Sequence, residues 1–422
     1  MQAAESIRFA GDISVDKIEI ITMTGFGQDI TNQVRAIEIF EDIYSPFISG
    51  VIVLKETIDY INLFPLIGEE FINISIHTPS MPQKIDQQFA IYKLANRMKT
   101  NDRNQLYEIF FTSKETLVDV NKKVSKSYNG KASDIVNEIV KDKINGLEST
   151  KNLILEESIN NIKYISNYWS PVKNINYISE LAKNFGNFPS YLFFENRKGL
   201  NFSSLQTMYT QDPIQTFTDD SYFRDFTYAG NTVRNVEEEY KRIIDIEVPL
   251  LYDYIDRAAG GMYSSRKFTY DIVTKKYTLD NFDIFDDTPP RLNPYAPVSS
   301  RVIRKPSQLH VTIPKHYNLF NNYVNASNSG SSQLRRSLLK QAETNKIIIT
   351  VPGRMDYTVG SKVYLNLNKF ATISEVDNDF QNKIFSGNYL IASINHSIDK
   401  EKHSCVMELI KDSYIIDLEK GS

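Results

Sequence analysis

Histidine and cysteine are the side chains best suited to metal binding and acid–base work near neutral pH, and this chain has five of the first and one of the second. His396, His403 and Cys405 fall together near the C-terminal end. The pattern around them predicts a hairpin of Tyr389–Ile398 and Lys402–Lys411. Its apolar faces, Ile394/Ile398 and Cys405/Met407/Leu409, put all three side chains on one side. Two imidazoles and a thiolate are ligands of the zinc type, with a fourth to come from elsewhere. The plainer reading is two histidines in a barrel wall, satisfied by backbone or hydroxyl partners. It is preferred, because a one-residue slip in register would separate the three. His77 shares a polar strand face with Asn73 and Ser75 and reads as a surface residue, and His310 and His316 flank Pro314 with no carboxylate pattern nearby. No catalytic, cofactor-binding or metal residue is assigned.

Other chemistries are missing or weak. The sequence has no His-Glu-x-x-His, no Gly-x-Ser-x-Gly and no phosphate loop ending in Gly-Lys-Ser/Thr. Gly25-Phe26-Gly27 offers two glycines of a dinucleotide fingerprint, but Ile30 takes the third place and the segment joins two strands. The carboxylate runs Glu69-Glu70, Glu237-Glu238-Glu239 and Asp286-Asp287 are common solvated features, and glycosidase chemistry depends on a spatial separation they do not reveal. Forty-eight Lys plus Arg against 52 Asp plus Glu leave a net charge of −4, which disfavours gripping DNA as the main task. Aromatics are 12% of the 422 residues, suited to cores and to large subunit interfaces. A lone cysteine excludes an internal disulfide and fits folding in a reducing cytoplasm. The N-terminal residues lack signal-peptide character, and no apolar run is long enough to cross a bilayer, so no membrane insertion is expected.

The elements that would position such residues are mostly strands. From Lys17 to Glu115 the pattern is β: alternation in Ile18–Thr22 and Phe71–His77, with further runs at Gln33–Glu41, Ile48–Thr57, Gln88–Met98 and Gln105–Ser113. Six strands with one solvated face predict a closed or nearly closed antiparallel barrel. An α+β region follows. Ser133–Ile144 carries Ile135, Val136, Ile139, Val140 and Ile144 on one stripe with Ser133 as N-cap. Ser170-Pro171 starts a helix with Ile175, Ile178, Leu181, Ala182 and Phe185 inward, stopped by Gly186. Tyr191–Glu195 and Leu200–Leu205 form a hairpin around Asn196-Arg197-Lys198-Gly199. Val236–Val248 leans to strand at its end, Tyr252–Ala259 to a short helix, and 265–282 to strands. Thr288 to Pro306 is a proline-rich connection, and 317–332 an Asn/Ser-rich loop or arm. Gln333–Thr344 is amphipathic, with Leu334, Leu338 and Ala342 inward, before a second β region from Lys346 to Lys411.

The chain resembles the baseplate hub proteins of T-even-type contractile-tailed phages, related in fold to the hub part of type VI secretion spikes. The residues that carry the resemblance are Ser49-Gly50-Val51-Ile52-Val53-Leu54-Lys55-Glu56 with Leu63-Phe64-Pro65-Leu66-Ile67-Gly68-Glu69-Glu70, and Tyr191–Asn196 with Gly199. Pro352-Gly353-Arg354 with Gly360, and Ser386–Ile391 leading to His396, complete the set. The resemblance implies a β-rich α+β chain with two antiparallel tube-type β-barrel domains and an inserted α+β domain. The expected boundaries are a tail at 1–16, a first barrel at 17–114, the α+β domain at 115–212, and a second, discontinuous barrel at 213–250 and 310–412. An insertion at 251–309 and a tail at 413–422 complete the division. It further implies a homotrimeric, pseudo-sixfold ring without catalytic residues or cofactor, resident in the virion baseplate after assembly in the host cytoplasm. Its partners would be the central spike, tail tube or tube-initiator proteins, the tape-measure protein and surrounding wedge proteins, with DNA only in transit. A cell-wall hydrolase or a carbohydrate-binding adhesin of a phage tail are the alternatives.

Overall fold

The computed structural model describes residues 7–419 apart from 24, 64–65, 101–103, 220–234, 251–252, 272–274, 300–301, 303–304, 306–308, 313–330, 370–380 and 400–401. First come β1 (Ser14–Ile21), β2 (Gly27–Asp29), β3 (Val34–Asp42), β4 (Ser49–Glu56), α1 (Tyr60–Leu63), β5 (Phe71–His77), β6 (Lys84–Lys99) and β7 (Gln105–Ser113). An α+β stretch holds α2 (Lys114–Asn121), β8 (Ser127–Lys131), α3 (Ala132–Lys141), β9 (Leu153–Leu155) and β10 (Asn161–Ile165). It continues with α4 (Pro171–Leu181), β11 (Tyr191–Asn196), β12 (Gly199–Ser204) and α5 (Leu205–Tyr209). Then follow β13 (Thr216–Thr218), α6 (Val236–Glu239), β14 (Asp245–Leu250), α7 (Tyr254–Ala259), β15 (Ser264–Asp271), β16 (Lys276–Asp283) and β17 (Leu309–Thr312). The last elements are α8 (Ser331–Ala342), β18 (Asn345–Pro352), β19 (Lys362–Asn366), β20 (Gly387–Asp399) and β21 (Lys402–Lys411).

The fold is β-rich α+β, and the first and last β regions are one sheet. Thirteen strands run β14-β18-β21-β20-β3-β4-β7-β6-β5-β1-β2, with β19 on β20 and β13 on β19. The pairing is antiparallel except between β13 and β19. Period-two alternation decides which face is buried: Ile72, Ile74 and Ile76 of β5 point inward, with Phe71, Asn73, Ser75 and His77 turned the other way. The seam is β20. Its first residues pair with β19 and its last with β3, from Ser393 opposite Asp42 to Asp399 opposite Ala36, while β21 lies along its other edge. A register shift between Ile391 and Ser393 marks the change of partner, the kind of irregularity that bends a strand and re-aims its side chains. Each side of the seam has its own apolar core, one around Ile18, Ile52, Ile74 and Phe111, the other around Phe217, Ile349, Tyr389 and Leu409. A third core fills the α+β stretch with Ile135, Ile139, Ile175, Tyr191 and Phe202.

Most expected elements appear, with specific differences. Ser133 is not the cap of α3: Lys131 holds that position, and Ser133 is buried, its Oγ accepting from Ser158 N at 3.3 Å. Ile144 and Phe185, expected inward, are 82% and 74% exposed, because α3 ends at Lys141 and α4 at Leu181, each capped by an extended residue. Ser170 does cap α4, its side chain accepting from Lys173 N, with Pro171 in the first turn. Val236–Val248 divides into helix α6 and strand β14, which carries Pro249 beside a register shift after Glu247. His316 and the 317–330 part of the arm lie outside the described residues.

Candidate functional site

Three parts of the chain meet beside the β3–β20 seam. From β3, the inward alternation Ile37, Ile39, Glu41 places a carboxylate in the interior. From the α+β stretch, the β11–β12 turn projects Asn196 and Arg197. Gly199 supports this turn at φ +129°, where an added Cβ would lie 2.2 Å from the Asn152 carbonyl oxygen. From the second half come the segment between β18 and β19 and the β20–β21 hairpin.

Glu41 is the centre of this junction. Its Oε2 accepts from Thr358 Oγ1 at 2.5 Å and Val359 N at 3.2 Å, and its Oε1 lies 3.3 Å from Arg197 Nε. Arg197 also donates to the Tyr357 carbonyl, and Asn196 Nδ2 donates to the Val359 carbonyl at 3.2 Å. Burial raises the Glu41 carboxyl above its ordinary range, and Arg197, Thr358 and Val359 pull it back. A second buried cluster ties the first half to the α+β stretch. Lys151 Nζ donates to Glu115 Oε2 at 2.7 Å and Glu195 Oε1 at 2.6 Å. Glu195 Oε2 accepts from Ser113 Oγ at 2.5 Å and Ile48 N at 3.2 Å. Helix α8 docks similarly: Arg335 Nη1 donates to the carbonyls of Ser179, Pro189 and Tyr191 at 2.9–3.0 Å.

The histidine–cysteine group sits in the same junction. His396 pairs directly across from Cys405, and His403 across from Ile398. All three side chains are buried and touch: His396 Nδ1 to His403 Nε2 3.0 Å, Cys405 Sγ to His396 Nδ1 3.3 Å, and Cys405 Sγ to His403 Nε2 3.4 Å. On its other side His396 Nε2 lies 3.9 Å from Glu41 Oε1. Burial, with Arg197 nearby, lowers His403 to about 3 and His396 well below the usual imidazole range, and burial raises the Cys405 thiol to about 12. Burial thus holds both imidazoles toward the neutral form.

The remaining candidates have structural surroundings. His77 Nδ1 meets Asp16 Oδ2 at 3.0 Å on a partly exposed strand face. Glu70 is buried and accepts from the backbone N–H groups of Ile67, Gly68 and Glu69. Glu237 and Glu238 are exposed, and Asp286 accepts from Asp283 N in a turn. His310 stands on β17, in register with Lys267 of β15. The Gly25–Gly27 segment lies between β1 and β2, with no helix after it. Glu41 was legible in principle, since it continues the inward alternation of Ile37 and Ile39. Arg197 was not, because the partner of a turn residue lies far away in sequence.

This architecture, taken whole, has counterparts among solved structures. A tail protein from Neisseria meningitidis overlays at a TM-score of 0.54 over 94% of this chain and 96% of its own, at 10% identity. A 43 kDa tail protein of a Shewanella oneidensis prophage overlays at 0.51, covering 94% and 98%, at 9% identity. The chain has the fold of a phage tail protein. The tail-protein fold thus spans the β halves, the α+β stretch and the seam between them. An E. coli component of the type VI secretion system overlays at 0.44, covering 90% of this chain and 73% of that one, at 10% identity. No family model and no curated protein matches the sequence.

Proposed function

We propose that this chain is a non-catalytic structural subunit of the baseplate hub of a contractile phage tail. Three copies form a pseudo-sixfold ring that joins the tail tube to the central spike and lets the genome pass. The observation that carries the reading is the likeness in fold, along nearly the whole chain, to two phage tail proteins. The two-core sheet supports it: if 17–114, and 213–250 with 310–412, are two tube-type barrels, three chains supply six like units around the spike. The α+β domain at 115–212 and the insertion at 251–309 are then decorations of that ring. The three-part polar junction would hold the two units of each subunit at a fixed angle.

Surface character agrees. Ile58, Leu63, Ile67, Tyr92 and Met98 are each about half exposed or more. Ile58 and Met98 flank the end of β6, where Arg97 and Gln105 both reach Asp59, and Ile67 lies beside Gly68, which neighbours Tyr92. Such a patch suits a subunit contact. Neighbours in the particle would be the spike, tube or tube-initiator proteins, tape-measure protein and wedge proteins. A net charge of −4 per chain suits a wall past which DNA slides. The test is mass photometry of the chain co-expressed with its cognate spike protein. Trimers carrying spike support the reading, and monomers or dimers alone at every concentration refute it.

A further inference from the structure

We propose that His396 Nδ1, His403 Nε2 and Cys405 Sγ form a structural zinc site that staples the last hairpin to the junction between the two β halves. The first support is geometric. The three atoms make a nearly equilateral triangle with sides of 3.0, 3.3 and 3.4 Å. Zinc bonds of about 2.0–2.1 Å to nitrogen and about 2.3 Å to sulfur, at tetrahedral angles, give edges of about 3.3–3.6 Å. The observed triangle is one face of such a tetrahedron, drawn in by a few tenths of an ångström.

The second support is that protons alone leave the group unsatisfied. A neutral imidazole carries one proton and one in-plane lone pair. With its proton on Nε2, which has no hydrogen-bond partner at 3.9 Å from Glu41 Oε1, His396 offers a lone pair at Nδ1. His403 Nδ1 has no hydrogen-bond partner. If His403 carries its proton there, a buried donor is orphaned and two lone pairs face each other 3.0 Å apart. If the proton is on Nε2 instead, it competes with the thiol proton for the single lone pair of His396, and His403 Nδ1 becomes an orphaned acceptor. Either arrangement is costly in a dry interior. A cation accepting all three lone pairs removes the lone-pair clash and the competition for His396, with the His403 proton then fixed on Nδ1, and the thiol proton leaves to solvent as the S–Zn bond forms.

The third support is a cradle built for the ring of His403. A Cβ on Gly353 would stand 2.2 Å from His403 Cγ, so only glycine leaves the ring its place. The backbone of His403 is fixed on both sides, its N–H donating to the Gly11 carbonyl and its carbonyl accepting from Gly353 N. Behind His396 stands Glu41, whose Oε1 lies 3.9 Å from His396 Nε2, beyond hydrogen-bond reach. Arg197 opposes a dication, and Glu41, 3.3 Å away, offsets it. Among the described residues no fourth His, Cys, Asp or Glu atom joins the set.

The test is elemental analysis of the full chain purified from zinc-supplemented cells, with cobalt(II) substitution as a second measurement. We expect close to one zinc per chain, a thiolate-to-cobalt charge-transfer band in the cobalt form, and loss of that band in Cys405→Ser. His403→Ala should lower metal content at least fivefold. If that variant fails to fold, the wild-type cobalt spectrum decides alone. A wild-type chain with less than a fifth of a zinc, or with another metal in its place, would overturn the proposal. So would a cobalt spectrum without thiolate character or one unchanged in Cys405→Ser.

Discussion

Replacing Arg197 with methionine removes the cation that, among the described residues, stands beside the water-inaccessible Glu41 carboxylate. The Glu41 side chain is 0% exposed and that of Arg197 8%. After the change Glu41 Oε2 keeps Thr358 and Val359, while Oε1 loses its nearest positive partner. Breaking a buried pair from one side costs about 3–5 kcal/mol, because the remaining charge stays desolvated. Glu41 can escape by taking a proton, and burial already pushes its carboxyl upward. The sign follows from linkage: without Arg197 the folded-state pKa rises further above its unfolded value, so folding is favoured by protonation and the deficit shrinks as pH falls. The expected result is a urea midpoint lowered by roughly 1 M at pH 8, for an m-value at or above about 3 kcal/mol/M. The loss should be clearly smaller at pH 5. Glu41→Gln combined with Arg197→Met should recover most of it, since no unpaired charge is left. A single variant that moves the midpoint by less than roughly a tenth of the expected shift, or equally at both pH values, would refute the buried ion pair as the link between the α+β stretch and the seam.

Other perturbations probe different parts of the molecule. Gly50→Ala puts a Cβ 2.4 Å from the Glu38 carbonyl oxygen and 2.2 Å from Phe111 Cζ. Since the backbone of β3 cannot step aside, the loss should exceed about 2 kcal/mol in urea unfolding, and a neutral substitution would contradict the close packing. Asp412 is raised to about 6 by burial, against the pull of the Ser413 hydroxyl, Leu292 N–H and Arg291. An acid raised on folding binds more protons folded than unfolded, so its contribution falls as pH rises from about 4 to about 6, by roughly 3 kcal/mol. Asp412→Asn should remove that slope; an unchanged pH–stability profile would sink the assignment.

The sequence is most readable where burial is one-sided. In β5 and β21 the alternation of apolar residues sets the face, and the same alternation brings His396, His403 and Cys405 together once the hairpin is in register. Helix ends are less legible: Ile144 and Phe185 continue the apolar period beyond the last turn, yet capping residues with extended backbone stop α3 and α4 before them. Polar joints were hardest to read. Lys151 and Arg197 look like surface charges in any local window, and only long-range partners make their burial tolerable. The pairing of β3 with β20 is of the same kind, since nothing in either strand names the other.

The central claim concerns assembly, and electron microscopy of the purified hub–spike complex tests it most directly. Three copies of a 48.6 kDa chain give about 146 kDa of hub protein. The account predicts class averages of a threefold ring with six like lobes around an open channel, the spike on one face. A compact particle without a channel, or a single copy of the chain on each spike, would contradict it.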